Sequence, residues 1–207
     1  RTSEGPLADL NCPSCGNVVP HQLQYAKLVV CPSCQVTLFL EDDAVKHAGE
    51  RSVIAQDPSI FALGVPFTHA NTTYVPHGRI RFDYGRGYWD EWWVHSNEGE
   101  GLWVSVDEGD IAVEHPLALN GPAPDFDALA IGSTITVGDQ KLTVTEKNSA
   151  ECIGFEGELP EVISVGERHN YVHLSGPRGL ILTVEFFDGE ALVFKGLWID
   201  PFEVRTA

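Results

Sequence analysis

Cys12-Pro-Ser-Cys15 and Cys31-Pro-Ser-Cys34 stand fifteen residues apart near the N-terminus of the 207-residue chain. Each Cys-x-x-Cys unit places two thiolates on one tight turn, and two such turns can complete a tetrahedral site with Zn–S distances of about 2.3 Å. Pro fixes φ within each turn, and Gly16 lets the chain bend back after the first one. The spacing predicts a structural zinc ion, as cofactor, held by Cys12, Cys15, Cys31 and Cys34.

The segment around the cysteines is too short to bury a core of its own, so the metal would supply the missing folding energy. Short β-branched runs at residues 18–19, 27–30 and 36–40 predict strands of a zinc ribbon over residues 1–50, with a short helix at 43–50. Four thiolates also suit rubredoxin-like iron, and redox dithiols or disulfides are further alternatives. A closed four-cysteine site leaves no open coordination position, so we expect no metal catalysis there.

From residue 51 onward, turn residues alternate with β-branched and aromatic runs, which is the pattern of all-β barrels and sandwiches. Gly101-Leu-Trp-Val-Ser-Val-Asp107 matches Gly179-Leu-Ile-Leu-Thr-Val-Glu185 in residue type, and the turn-rich Asn120-Gly-Pro-Ala-Pro-Asp125 lies between them. We therefore predict a mostly β protein in which two tandem SH3-like β-barrel modules, residues 51–119 and 120–207, pack together as an internal repeat. Convergent strand composition is the alternative explanation.

The charge of the chain limits its partners. The formal net charge is −17, and such a field repels phosphate backbones and favours cationic partners. Lys27 and Lys46 are the only Lys or Arg side chains in residues 2–50, so we expect no nucleic acid. No apolar run approaches the ~20 residues that cross a bilayer, and the N-terminus lacks a signal peptide's apolar region. We expect a cytoplasmic location without membrane insertion.

The densest polar-aromatic stretch is Tyr88-Trp-Asp-Glu-Trp-Trp-Val-His95. In a strand, Trp89, Glu91 and Trp93 face one side, and Tyr88 and Trp92 face the other. Aromatic faces can hold a cation that a carboxylate neutralises, while packing of the same rings into a core is the alternative. Further along, two carboxylates either cap turns or line a cleft between the modules. The candidate binding residues are Tyr88, Trp89, Glu91, Trp92, Trp93, Trp103, Glu158 and Glu185.

Several motifs together resemble those of the DUF4178 family of bacterial proteins: Gly87-Tyr-Trp-Asp-Glu-Trp92, Gly101-Leu-Trp-Val-Ser-Val-Asp-Glu-Gly109, Glu156-Gly-Glu-Leu-Pro160 and Leu182-Thr-Val-Glu185. A Cys-Pro-x-Cys-Gly ribbon, as found here, often precedes that domain. The resemblance covers most of residues 10–200 and departs from the family pattern at Asp107, where Glu is expected. It implies no established activity. It does imply a setting, because members tend to be encoded beside polyamine-synthase-like enzymes and membrane-stress proteins.

These observations favour a non-catalytic binding or scaffold module for a basic or cationic partner, either a protein or a small cation such as a polyamine. The alternative is an enzyme, in a polyamine-related or membrane-stress setting, in which Glu91, Glu158 and Glu185 converge for acid–base chemistry. Standard catalytic signatures such as G-x-S-x-G, H-E-x-x-H and the P-loop are absent from the sequence. We therefore name no catalytic residue.

Overall fold

The computed structural model describes residues 7–42, 44–187 and 189–206. Strands dominate these residues, and the helical segments among them are short 3₁₀ turns at Pro177–Gly179 and Pro201–Glu203. Within the same ranges, no helix has the length and apolar character needed to cross a lipid bilayer. The prediction of a mostly β fold is confirmed.

The ribbon around the cysteines consists of β1 (Leu10–Asn11), β2 (Val18–Val19), β3 (Leu28–Val30), β4 (Val36–Glu41) and β5 (Ala44–Arg51). β1 and β2 form a hairpin, and β3, β4 and β5 form an antiparallel sheet. The helix predicted at residues 43–50 is wrong, because residues 44–51 form β5, while Asp43 lies outside the described residues. Pairing with β4 decides the outcome: the Phe39 ring stacks on His47 with centroids 4.5 Å apart, a contact that local propensity cannot reveal.

Beyond the ribbon, the described strands are β6 (Phe67–His69), β7 (Thr72–Asp83), β8 (Tyr88–Ser96), β9 (Gly101–Asp107), β10 (Asp110–Pro116), β11 (Thr134–Val137), β12 (Gln140–Leu159), β13 (Arg168–Ser175), β14 (Leu180–Phe187), β15 (Glu190–Ile199) and β16 (Arg205–Thr206). Antiparallel neighbours follow the order β7–β8–β9–β10–β15–β14–β13–β12, and β12 pairs again with β7. These strands close into a ring. Successive residues of each strand therefore face alternately into the barrel and away from it.

The two tandem SH3-like barrels that we predicted are not confirmed. β7–β10 lie in the first predicted module and β12–β15 in the second, and the β10–β15 and β7–β12 pairings join them in one ring. The matched sequence stretches form β9 and β14, the third strand of each set of four. The duplication and the predicted boundaries after residues 50 and 119 stay predictions. Residues 1–6 and 207 of those predicted ranges lie outside the described residues.

The last residues of β12 connect the barrel to the ribbon. Glu158 and Leu159 pair with β3, and the Lys27 N–H donates to the Leu159 carbonyl oxygen at 2.9 Å. Tyr25 of the ribbon stacks on His95 of β8 with centroids 5.5 Å apart, and its hydroxyl accepts a hydrogen bond from Trp93 Nε1 at 3.3 Å. The ribbon is therefore packed against one end of the barrel.

Two apolar cores lie on the outside of the barrel. In one of them, Phe126 and Leu129 of the connector cover the outward side chains of β12, β13 and β14, including Leu174. In the other, Phe61 and Phe67 pack with Trp92 and the apolar residues of β9 and β10. A third and larger core joins the ribbon to the inner side chains of the barrel, including Trp89, Trp93 and Tyr171. The polar groups of the interior therefore lie among aromatic and aliphatic side chains.

Candidate functional site

The four predicted cysteine ligands converge. Their Sγ atoms all lie within 4.8 Å of one another, with 3.7 Å between Cys12 and Cys34 and 3.8 Å between Cys15 and Cys31. A tetrahedral ion with metal–sulfur bonds of about 2.3 Å requires sulfur–sulfur distances of about 3.8 Å. The four cysteines are free of disulfides, and this donor set fits one metal ion.

The two cysteine turns share a backbone design. The Gly16 N–H donates to the Cys12 carbonyl oxygen at 2.8 Å, and the Gln35 N–H donates to the Cys31 carbonyl oxygen at 2.9 Å. Gly16 has φ +76° and Gln35 has φ +64°. A left-handed conformation costs a residue with a Cβ about 1–2 kcal/mol. The second turn therefore keeps the geometry of the first at some cost, as expected where a metal fixes both.

The interior of the barrel contains aromatic and acidic side chains from β8. The Trp89 ring lies 5.0 Å from the Tyr171 ring of β13, centroid to centroid. Since β8 and β13 are not neighbours in the ring, this contact crosses the interior. Glu91 shares that face, and its Oε1 accepts a hydrogen bond from Trp89 Nε1 at 3.0 Å. Trp93 lies 5.0 Å from the Trp103 ring. Four predicted binding residues thus share the inner face.

Glu114 is an interior carboxylate that our sequence analysis missed. It is 5% exposed and accepts hydrogen bonds from Ser105 of β9 at 3.1 Å and from Thr183 of β14 at 2.5 Å. A Cβ at Gly196 of β15 would collide with the Glu114 side chain and the Val113 carbonyl, so glycine there makes room for the carboxylate. Ser105 and Thr183 occupy equivalent positions in the two matched sequence stretches. This equivalence is the sequence feature that could have indicated their shared contact with Glu114.

Glu185 is the least satisfied of these carboxylates. It is 8% exposed and accepts no hydrogen bond from the described part of the chain; His169 Nε2 lies 3.8 Å from its Oε1. Burial, followed by the charges of nearby carboxylates, raises the pKa of Glu185 well above its ordinary value. The same causes, burial and then the charge of Glu114, raise the pKa of Glu91 to about 8.

Two openings lie along this interior row of side chains. A cavity of about 220 Å³ is bordered by Trp89, Glu91 and Glu114, and also by Glu146, Tyr171 and His173. Glu146 accepts a hydrogen bond from the Tyr171 hydroxyl at 2.6 Å and lies 3.1 Å from His173 Nδ1. The His173 contact is the main cause that lowers the pKa of Glu146. Farther along β8, Trp93, Trp103 and Glu161 border a groove of about 700 Å³, and burial raises the pKa of Glu161 to about 7.

The outward face of β8 has the opposite character. The Asp90 carboxylate accepts hydrogen bonds from Nε and Nη2 of Arg81 at 2.7 and 2.9 Å, and its Oδ2 lies 3.5 Å from Nη1 of Arg79. The Arg81 guanidinium also lies 4.0 Å from the Tyr88 ring centroid, and that of Arg79 lies 4.9 Å from the Trp92 ring. The faces of Tyr88 and Trp92 are therefore in contact with the chain's own arginines. We leave these two predicted residues out of the proposed site.

Glu158 is separated from the other predicted glutamates. Its carboxylate accepts hydrogen bonds from the backbone N–H groups of Gln22 at 2.6 Å and Leu23 at 2.9 Å, and lies 3.1 Å from His21 Nδ1. It holds the ribbon to the end of β12. The convergence of Glu91, Glu158 and Glu185 that the enzyme hypothesis requires is not present in the structure.

Comparison with known proteins gave one match. No curated protein and no solved structure is similar to the chain at a significant level. A family model described as "Domain of unknown function (DUF4178)" matches residues 62–201. The matched range contains β7 to β15, and therefore every strand of the ring, while the cysteine ribbon precedes it. The match covers more than half of the chain and agrees with the motifs that predicted it, so the protein belongs to the DUF4178 family.

Proposed function

We propose that the protein is a non-catalytic binding module that takes a small organic cation, such as a polyamine, into the barrel. One observation supports this most strongly. Glu91, Glu114 and Glu185 lie inside the ring, and no Lys or Arg of the described residues forms a hydrogen bond or ion pair with any of them. Glu114 and Glu185 are buried and Glu91 is half-buried. A buried carboxylate charge without a counter-charge costs several kcal/mol, and a cationic ligand would relieve that cost.

The shape of the site favours an organic cation over a metal ion. Among the described residues, the cysteines are the group whose ligand atoms come together closely enough for a metal; the interior glutamates influence one another's charge but do not bring their carboxylate oxygens together at one point. A ligand with a hydrocarbon body can contact several carboxylates in turn. The rings of Trp89, Trp93 and Trp103 border the two openings, and an aromatic ring attracts an ammonium group placed over its face by about 0.5–2 kcal/mol.

The position of the carboxylates favours a small ligand over a folded protein. They lie within a closed ring of strands, so a basic protein could reach them only by inserting a single side chain. The net charge of −17 would draw any cation toward the barrel and repel nucleic acid. A scaffold role and a cytoplasmic setting are compatible with this proposal and stay predictions.

For the ribbon, we propose zinc with a structural role. The donor set of four thiols and the sulfur–sulfur distances near 3.8 Å suit Zn²⁺ in a closed tetrahedral site. Iron in the same cage is the competing assignment. Elemental analysis of protein purified without added metal distinguishes the two, with about one zinc ion per chain expected.

Isothermal titration with spermidine and with 1,4-diaminobutane at pH 8 tests the barrel proposal. We expect saturable binding, weakened about tenfold or more by Glu114→Gln because one charge of the site is lost while the side chain keeps its shape. Glu98→Gln is the matched control, since Glu98 lies in the exposed turn between β8 and β9. No heat from either amine, or equal weakening by both substitutions, would contradict the proposal.

A further inference from the structure

The interior carboxylates have too few donors for their number. Glu114 has two hydroxyl donors and Glu91 has one indole N–H. Glu185 has no donor in the described chain, although it is buried and points toward the same interior as the other two. His169, which is 4% exposed, faces Glu185 with Nε2 unpaired. A buried polar group without a partner is costly, and a ligand that supplied hydrogen-bond donors at this point would relieve that cost.

The groups around the three glutamates supply little positive charge. The titratable side chains that face them are Asp107 on β9, Glu146 on β12, His169, Tyr171 and His173 on β13, and Glu161 after β12. Burial lowers the pKa of His169 to about 4, so this imidazole is neutral near pH 7. The charges of Arg86 and Lys27 act on Glu146 and Glu161, at the margins of the row, and not on the central glutamates.

Protons are the available neutralising species when no ligand is bound. The pKa of Glu91 near 8 and the raised pKa of Glu185 follow from burial and from the proximity of the carboxylates to one another. With a pKa of about 8, Glu91 carries a proton at neutral pH. A protonated carboxyl can also donate a hydrogen bond to an unpaired neighbour, which an ionised one cannot.

We propose that the primary ammonium group of the ligand enters the cluster of interior glutamates, Glu91, Glu114 and Glu185, in exchange for one carboxyl proton. This inference rests on the proposed function and specifies how the site works. The ammonium group keeps its own protons and enters the cluster. One carboxylic O–H bond breaks, and that proton leaves to the solvent buffer. The carboxylate that remains forms the ion pair, so charge inside the barrel stays balanced in both states.

Proton exchange fixes the direction of the pH dependence. Where binding releases one proton, the association constant rises about tenfold per pH unit. We expect this slope between pH 6 and 7.5, and a plateau above about 8, where Glu91 has lost its proton. A ligand amine with an ordinary pKa of about 10 remains charged throughout this window. A site of permanently ionised carboxylates would instead bind the amine equally well across it.

The test is isothermal titration of the full, metal-bound chain with 1,4-diaminobutane at pH 7 in two buffers with different ionisation enthalpies. The dependence of the observed heat on the buffer enthalpy gives the number of protons released, and about one per bound ligand is expected. Binding without proton release, or with proton uptake, overturns this inference and leaves the proposed function standing. Absence of binding overturns both.

Glu185→Gln provides a second, independent reading. The amide keeps the size of the side chain and cannot hold the exchanged proton, so proton release per bound ligand should fall by about half or more if Glu185 shares that proton with Glu91. Glu98→Gln, on the exposed turn, should release as many protons as the unmodified chain. Equal release by all three proteins would show that the proton comes from elsewhere and would overturn the proposal.

Discussion

Asp90 and Glu91 are consecutive residues of β8, and their carboxylates lie in opposite surroundings. Asp90 faces outward and is held by Arg79 and Arg81. Glu91 faces inward and receives a single indole N–H, with other carboxylates nearby. The chain thus neutralises an acid on the covered outer face and leaves the one beside it without a basic partner. Stability alone does not explain the inner arrangement, whereas a cationic ligand does.

The four cysteine thiols are a third arrangement, in which ionisable groups come together around one point. A substitution there has the largest expected effect on the protein. Cys31→Ser should reduce bound metal from about one ion per chain to nearly none and unfold the ribbon, because structural zinc contributes an apparent 10–16 kcal/mol of binding energy. Metal analysis and limited proteolysis within residues 12–34 measure the two effects. Cys152→Ala, a buried thiol away from the cluster, should keep its metal. Retention of metal by Cys31→Ser would refute the assignment of that ligand.

Removing the Asp90 carboxylate from the outer face of β8 should cause a large loss of stability. Asp90→Ala leaves the guanidinium groups of Arg79 and Arg81 buried without their shared partner, and breaking such a pair costs about 3–5 kcal/mol. Urea unfolding followed by tryptophan fluorescence measures the loss. Asp110→Ala, at an exposed position at the start of β10, serves as the control and should change the unfolding free energy by less than about 0.5 kcal/mol. Similar values for both would mean that the outer pairs contribute little.

Glu158 is a carboxylate whose hydrogen bonds come from backbone N–H groups, and it holds the ribbon to the barrel. Glu158→Ala removes the acceptor for the N–H groups of Gln22 and Leu23, and leaving buried donors unpaired costs about 1–3 kcal/mol each. We expect faster hydrogen exchange at these two amides and a looser ribbon, with the metal retained. Glu190→Ala, on the exposed start of β15, should leave both amides as protected as before. If Glu158→Ala does the same, Glu158 is not what holds the ribbon.

Removing the charge of Glu185 inside the barrel should have a small effect of the opposite sign, an increase in the unfolding free energy. The raised pKa of Glu185 means that the folded chain holds a proton that the unfolded chain releases above its ordinary pKa, near 4.5. Stability therefore falls as the pH rises above that ordinary value toward the raised pKa of the folded state. Glu185→Gln removes this loss, so we expect it to raise the unfolding free energy by about 1 kcal/mol at pH 8, or about 2–4 °C in Tm.

A measurement at pH 4 is the control for that substitution. Below the ordinary pKa of 4.5, Glu185 is protonated in the folded and the unfolded state alike, so the difference between Glu185→Gln and the unmodified chain should nearly vanish. A substitution that destabilises the protein equally at both values of pH would mean that Glu185 is a structural residue whose charge is already compensated.

Local patterns in the sequence predicted much of this molecule. The Cys-x-x-Cys spacing identified residues whose sulfurs do converge, since both turns are local. Alternation along residues 88–95 correctly separated the inward Trp89 from the outward Trp92. Strand pairing could not be predicted in the same way. Residues 140–159 pair with β13 of their own module and also with β7. The β7 pairing depends on contacts across some seventy residues, for which the sequence has no local pattern.

Glu114 shows why part of the site was missed. It alternates with Ile111 and Val113 on β10, and a charged residue opposite an apolar face is usually exposed to solvent. Here the apolar face is the outer one, because residues outside the ring cover it, so the charged face is the interior. The hydrophobic pattern was correct, but only the closed ring shows which side of it is buried in the barrel.

The most direct test of the central claim is a crystal structure of the protein grown with 1,4-diaminobutane at pH 8. We predict that the ligand lies inside the barrel, with one ammonium group within hydrogen-bonding distance of Glu185 and of Glu91 or Glu114. An interior in which those carboxylates contact only water, or a diamine bound solely on the outer acidic surface, would contradict the account.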